Sequence, residues 1–236
     1  MRFYFILFLT FACYINGRSQ TCEEYTKSGI QKYALKDYRG SIEDFTTAIK
    51  INPMYAIAYF NRGIVKSEIH DYDGAKADFT KVIEIQPQNA KAFYNRAITK
   101  TATFDHKGAI KDYTLAIKLE PKYDTAYYNR GNIKFYAEHY RRAIADYSKA
   151  IKINPDYAAA YGNRGLSKYS LNNNWGAIDD YNKVLGINPN EAKAYNNRGL
   201  AEIALGQNDK GCSDFSKAYE LGDSITEESI KKWCKK

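Results

Sequence analysis

From residue 22 to about residue 225, apolar and polar positions recur with a helical period, and the pattern restarts every 34 residues. The prolines of the chain, at 53, 87, 121, 155 and 189, are each 34 residues apart. Pro cannot continue a helix and turns the residue before it away from helical geometry, so each one punctuates a unit. With Pro placed at position 32, units begin at residues 22, 56, 90, 124, 158 and 192. Within a unit, positions 4, 8 and 11 share one helical face, and positions 20, 24, 27 and 28 share another. The pattern therefore predicts two helices per unit, joined by a turn.

The side chains at these positions repeat as well. Position 4 is aromatic throughout (Tyr25, Tyr59, Phe93, Tyr127, Tyr161, Tyr195), and so is position 24 (Phe45, Phe79, Tyr113, Tyr147, Tyr181, Phe215). Position 8 is Gly29, Gly63, Ala97, Gly131, Gly165 or Gly199, and position 20 is equally small, from Ser41 to Gly211. Small residues let two helices approach closely while the aromatics fill the gaps beside them. One such pair cannot bury its apolar face alone, but a stack can. These residues resemble the tetratricopeptide repeat, a helix–turn–helix unit of 34 residues. The resemblance implies an all-α fold, a right-handed α-solenoid with repeats over 22–55, 56–89, 90–123, 124–157, 158–191 and 192–225.

The last unit has Gly222 and Asp223 near the place of the Pro, and residues 226–236 read as a capping helix. Thr226 is placed to cap it, Glu227 and Glu228 suit its first turn, and Lys231 and Lys232 suit its end. Cys212 and Cys234 are equidistant from the predicted turn at residue 223, which brings them level across an antiparallel helix pair. A disulfide between them is expected, with Cys22 left over.

Residues 1–19 read as an export signal: Arg2 is a short positive region, and Phe3 to Ile15 is an apolar stretch too short to span a bilayer comfortably. Gly17 and Ser19 fit cleavage before Gln20 loosely. A second reading makes Cys13 a lipid-modified residue, since Leu9 to Ala12 loosely resembles a lipoprotein box. A third makes the segment a buried first helix. Export implies a periplasmic, cell-surface or secreted protein, bacterial in style, in a compartment that permits disulfides. No membrane-spanning helix is expected.

Composition narrows the chemistry. The formal charge is +8, falling to +6 if Arg2 and Arg18 leave with the signal, and no dense basic run accompanies it, so no nucleic-acid partner is expected. The three His (His70, His106, His139) fall in the turns of different units. No phosphate loop, nucleophile elbow or zinc spacing occurs, so neither catalysis nor a cofactor is expected. The unusual feature is aromatic, with 22 Tyr and 11 Phe.

Function is therefore sought on the first helices, which in tetratricopeptide proteins line a concave groove. Position 6 is Asn61, Asn95, Asn129, Asn163 and Asn197. An amide offers both a donor and an acceptor, as an extended peptide backbone requires. In relatives that bind peptides, an Asn here grips main chain. Pockets between these amides would draw on Phe60, Lys91, Tyr94, Tyr128, Asn132, Phe135, Tyr136, Tyr169, Lys193 and Asn196. The carboxylate clamp of some relatives is not matched, because Thr26 and Ile30 stand where it needs Lys and Asn. The expected function is a non-catalytic scaffold that binds an extended segment of another protein. The alternatives are an assembly factor of a cell-envelope complex and a glycan-recognising accessory whose Tyr rings stack on sugars. Arg at position 7 (Arg62 to Arg198) and Asp at position 23 (Asp44 to Asp214) recur together and read as structural ion pairs. Pairing within a unit would leave Asp44 without an Arg, and pairing to the preceding unit would leave Asp214.

Overall fold

Helices form where the spacing places them. The computed structural model describes residues 21–224 and 226–234. The chain divides after Pro121 into two compact units. The first holds α1 (residues 21–34), α2 (Tyr38–Ile51), α3 (Ala56–Glu68), α4 (Tyr72–Ile85), α5 (Ala90–Ala102) and α6 (His106–Leu119). The second holds α7 (Asp124–Tyr136), α8 (Tyr140–Ile153), α9 (Ala158–Ser170), α10 (Asn174–Ile187), α11 (Ala192–Ala204), α12 (Asn208–Glu220) and α13 (Thr226–Trp233). All regular structure among the described residues is helical. Residues 1–19, read above as an export signal, and Cys13 with them lie outside the described residues.

Each pair is closed by the same turn. The residue at position 15 is left-handed in every repeat, with φ of 62° at Lys36, 63° at His70, 60° at Phe104, 59° at Glu138 and 60° at Asn172. Only the sixth repeat uses glycine there, Gly206 at φ 74°, although that region disfavours any side chain. The next residue caps the second helix. Asp37, Asp71, Asp105 and Asn173 accept from the backbone N–H of Gly40, Gly74, Gly108 and Gly176. His139 and Gln207 occupy the same place and make no such bond. At the far end the C-cap residue is extended, as at Asn52 (φ −133°, ψ 98°), the geometry that the following Pro requires.

Packing follows the small-against-aromatic scheme. A Cβ on Gly131 would lie 2.8 Å from the Tyr147 ring, so the ring lies directly against the α7 backbone. The position-24 rings Phe45, Phe79, Tyr113, Tyr147, Tyr181 and Phe215 are all buried, each stabilising the fold by about 1.5–3 kcal/mol.

Beside this core each repeat carries an ion cluster. Arg62 bonds both carboxylate oxygens of Asp78 in its own repeat (2.9 and 2.6 Å), and Lys66 at position 11 adds a third contact of 2.8 Å. The same Arg–Asp–Lys cluster recurs at Arg96–Asp112–Lys100, Arg130–Asp146–Lys134 and Arg164–Asp180–Lys168. Pairing within the repeat leaves Asp44 without an Arg, and it takes Lys32 (2.8 Å) and the Ser28 hydroxyl (2.7 Å) instead. The remaining guanidinium nitrogen reaches back one repeat, from Arg62 to Thr46, Arg96 to Thr80, Arg164 to Ser148 and Arg198 to Asn182. Each guanidinium also lies over the position-4 ring, as Arg164 does over Tyr161 at 5.3 Å.

The sixth repeat breaks the cluster. Glu202 stands where the others have Lys, is only 8% exposed, and its Oε2 has no hydrogen-bond partner among the described residues. Burial and the nearby Asp214 carboxylate hold its pKa above the ordinary 4.5, against the opposing pull of Arg198 and Lys210. The folded state therefore binds the Glu202 proton more tightly than the unfolded chain. The resulting stability is fully present below the ordinary carboxyl pKa and is lost as pH rises through the raised one. Urea midpoints of Glu202→Gln should rise relative to the native chain between pH 4 and 7. Glu202→Lys, which restores the cluster, should add about 1–2 kcal/mol at pH 7. Parallel pH profiles for native and Gln forms would refute this account.

The cap packs on α12. Thr226 is its first helical residue, is fully buried, and its hydroxyl has no partner among the described residues, so the expected side-chain cap is not made. Cys212 and Cys234 are bonded, with Cα atoms 5.5 Å apart. Cys22 is a buried thiol whose Sγ donates to the Ala48 carbonyl (3.4 Å).

Candidate functional site

The position-6 amides follow from helix register, because the burial of positions 3, 8 and 10 turns position 6 partly outward. Within the first unit α3 touches α5, and within the second α7 touches α9 and α9 touches α11, so the first helices of successive repeats are neighbours in each. Several of the amides are already in use. Asn61 Nδ2 donates to the Ile57 carbonyl (3.0 Å) and Asn95 Nδ2 to the Lys91 carbonyl (2.8 Å), one turn back on their own helices. Each keeps a second N–H and its side-chain oxygen for a guest. Asn163 donates to the Tyr128 hydroxyl (3.2 Å) and to Asn132 Oδ1 (2.9 Å), which commits both its N–H groups and leaves only the oxygen. Asn129 holds the same register on α7, and Asn197 lines a cavity described below.

The aromatic candidates divide. Phe60, Tyr94 and Tyr128, at position 5, are partly buried and rest on the position-24 ring of their own repeat, at 5.7 Å from Phe79, 5.8 Å from Tyr113 and 5.9 Å from Tyr147. Each is thus anchored to the core while staying partly exposed. Phe135 and Tyr136 sit at the end of α7, where Phe135 contacts Tyr136 and Tyr140 at 5.5 Å and Tyr136 is 82% exposed. They belong to the turn. Tyr169 packs against the core of Ala177, Ile178, Tyr181 and Ala201. Lys91 and Lys193 are exposed, and Asn196 has a buried side-chain oxygen with no partner among the described residues.

Asn132 is drawn into a network that joins its own repeat to the next. It accepts from the Tyr147 hydroxyl (2.9 Å) as well as from Asn163. Tyr181, the counterpart of Tyr147, finds Leu166 where Asn132 would be, and its hydroxyl has no partner among the described residues. Burial pushes both phenols far above their ordinary pKa, so they stay protonated donors at neutral pH. Above Tyr181 lies a cavity of about 390 Å³, walled by α9, α10 and α11 and lined by Gly162, Asn163, Leu166, Val184, Lys193 and Asn197 among others. Three of these, Asn163, Lys193 and Asn197, are sequence candidates. Tyr181, Gly162, Leu166 and Val184 are not, though Gly162 alone breaks the run of side chains at position 5. Among the described residues no group of three or more His, Cys, Asp or Glu is placed to hold a metal ion, and no helix is long and apolar enough to cross a membrane.

Tetratricopeptide repeat family models match residues 56–89, 90–123, 125–157, 158–191 and 192–221, well over half of the chain. The chain belongs to the tetratricopeptide repeat family. No curated protein matches its sequence. Among solved tetratricopeptide structures, a crystal structure of MamA is 30% identical, covers 72% of this chain and 97% of its own, and superposes with a TM-score of 0.65. YrrB, described as a TPR protein with an unusual peptide-binding site, is 22% identical over 80% of this chain and 97% of its own, with a TM-score of 0.71. PilF of Pseudomonas aeruginosa is 15% identical over 91% of this chain and 98% of its own, with a TM-score of 0.76. At those identities YrrB and PilF share the fold alone. The tetratricopeptide fold suits a protein-interaction scaffold.

Proposed function

We propose that this chain is an exported, non-catalytic adaptor that holds an extended segment of another protein along the first helices of its repeats. The observation that carries the reading is the cavity of the second unit. It opens beside Asn163, Asn197 and Lys193, three residues singled out for binding by their repeat positions alone. An apolar recess flanked by amides, one cation (Lys193) and one carboxylate (Glu191) suits a peptide, with side chains filling the recess and amides holding main chain. The phenols and half-buried position-5 rings add contact area at little entropic cost.

The test is selection of binders from a random twelve-residue peptide library on the full chain, followed by titration of the selected peptides. Two hydrogen bonds at about 1 kcal/mol each predict that Asn163→Ala combined with Asn197→Ala weakens the selected peptides about thirtyfold. A library that yields no binders, or binders indifferent to both substitutions, would remove the groove from consideration.

A further inference from the structure

Within the second unit the repeat can be laid on itself, and the cavity then acquires an identity. Tyr128, at position 5 of the fourth repeat, has Tyr147 at 5.9 Å, Tyr157 at 4.9 Å, and Asn163 of the next repeat donating to its hydroxyl at 3.2 Å. Moving each residue on by 34 gives Gly162, Tyr181, Glu191 and Asn197. All four line the cavity. The recess is thus the place of a Tyr128-like ring that the fifth repeat does not supply. A Cβ on Gly162 would meet only Val184, at 3.9 Å, so the space is open from the backbone outward.

A second observation points to a guest. The Tyr181 hydroxyl is buried, the residue being 1% exposed, and it lacks a partner among the described residues because Leu166 replaces the acceptor that Asn132 gives Tyr147. Buried hydroxyls are ordinarily bonded, and the residue that carries this one lines the recess.

We propose that the cavity over Tyr181 is a socket for a tyrosine side chain of the bound segment, supplying in trans the ring that Gly162 withholds. The inference rests on the adaptor reading and names what that site selects. A phenol oxygen placed as Tyr128's is placed accepts from the Asn197 amide, and its proton is available to the Glu191 carboxylate, which stands where Tyr157 would be and also accepts from Asn188 at 3.2 Å. Tyr147 spends its proton on Asn132, whereas Tyr181 lacks that acceptor and can turn its hydroxyl to the guest. Phenylalanine fills the space but leaves these groups unsatisfied. The indole of tryptophan donates but cannot accept. Aliphatic side chains neither bond the hydroxyl nor present an edge to the ring beneath.

The test uses N-acetyl-tyrosinamide and N-acetyl-phenylalaninamide, titrated into the full chain and followed by amide resonances. Saturable shifts at Gly162 and Val184, with the tyrosine form bound about tenfold more tightly, are the expected result. Gly162→Tyr, which fills the socket internally, should abolish them. Tyr181→Phe, which keeps the core ring, should bring the two probes to within about threefold of each other. Absence of shifts at the socket, equal binding of both probes to the native chain, or undiminished binding by Gly162→Tyr would each overturn the proposal. Because the probes do not depend on library selection, an empty socket with selected peptides still bound would refute the tyrosine assignment alone. Failed selection with a filled socket would refute the peptide groove alone.

Discussion

Asp112→Ala is expected to destabilise the chain by about 3–5 kcal/mol. The carboxylate is 1% exposed and receives Arg96 Nε at 2.8 Å, Arg96 NH2 at 2.9 Å and Lys100 Nζ at 2.7 Å. Removing it strands two cations whose side chains are each only 16% exposed and which pair with no other acid among the described residues. The penalty is that of uncompensated buried charge rather than of a lost attraction. It separates this cluster from the Arg39–Glu43 pair, where the side chains are 93% and 64% exposed and substitution should change little. Denaturant melts of the two variants make the comparison directly. A second measurement tests the reason. Replacing Arg96, Lys100 and Asp112 together by apolar residues of similar size should recover most of the loss, because no charge is then left to desolvate. An Asp112→Ala loss below about 1 kcal/mol would mean that the clusters are incidental to stability.

Breaking the Cys212–Cys234 bond is the other large effect expected. The bridge closes a segment 22 residues long, and opening a loop of that size removes about 3 kcal/mol of constraint on the unfolded chain. The loss should be local, since α13 packs on α12 and belongs to the end of the second unit. In reductant, or in Cys234→Ser, α13 should detach while the helices before it stay folded. Trypsin should then cut at Lys231 and Lys232 many times faster, with the far-ultraviolet signal falling only slightly. Cooperative unfolding of the whole second unit on reduction would contradict this. In an oxidising compartment the bond would persist without upkeep, in keeping with the export reading.

The repeat made most of the fold legible. Punctuation by Pro and the pairing of small with aromatic residues predicted helix pairs, and those pairs are present from α1 to α12. The disulfide was legible for the same reason, since equal distances from a turn are a property of helix rise. The partner of each Arg was not. Position 23 of the same repeat and of the preceding one are both plausible from sequence, and only packing decides between them. The Lys at position 11 recurs from Lys32 to Lys168 and was readable as the third member of the cluster, with Glu202 as its break. The candidate site was harder. Periodicity marks the outward face of a helix but not how far a long ring leans back into the core. Tyr169 therefore packs into the core around Tyr181, and Phe135 turns toward Tyr140 of α8 while Tyr136 stays in solvent. The cavity follows from what one repeat lacks, at Gly162 and Leu166, and a search for recurring residues passes over an omission.

The ion clusters have a further consequence for how such a chain can change its length. Each Asp is bound inside its own repeat, while the Arg also takes hold of a hydroxyl or amide one repeat earlier. A segment of 34 residues excised or duplicated anywhere between two such joints brings matching halves together again. Threonine, serine and asparagine all serve as the receiving group, so the splice tolerates different neighbours. The register that builds the array thus also makes it modular, and the recess, walled by α9 and α10 of the fifth repeat and α11 of the sixth, could be moved or copied only as a cassette of both.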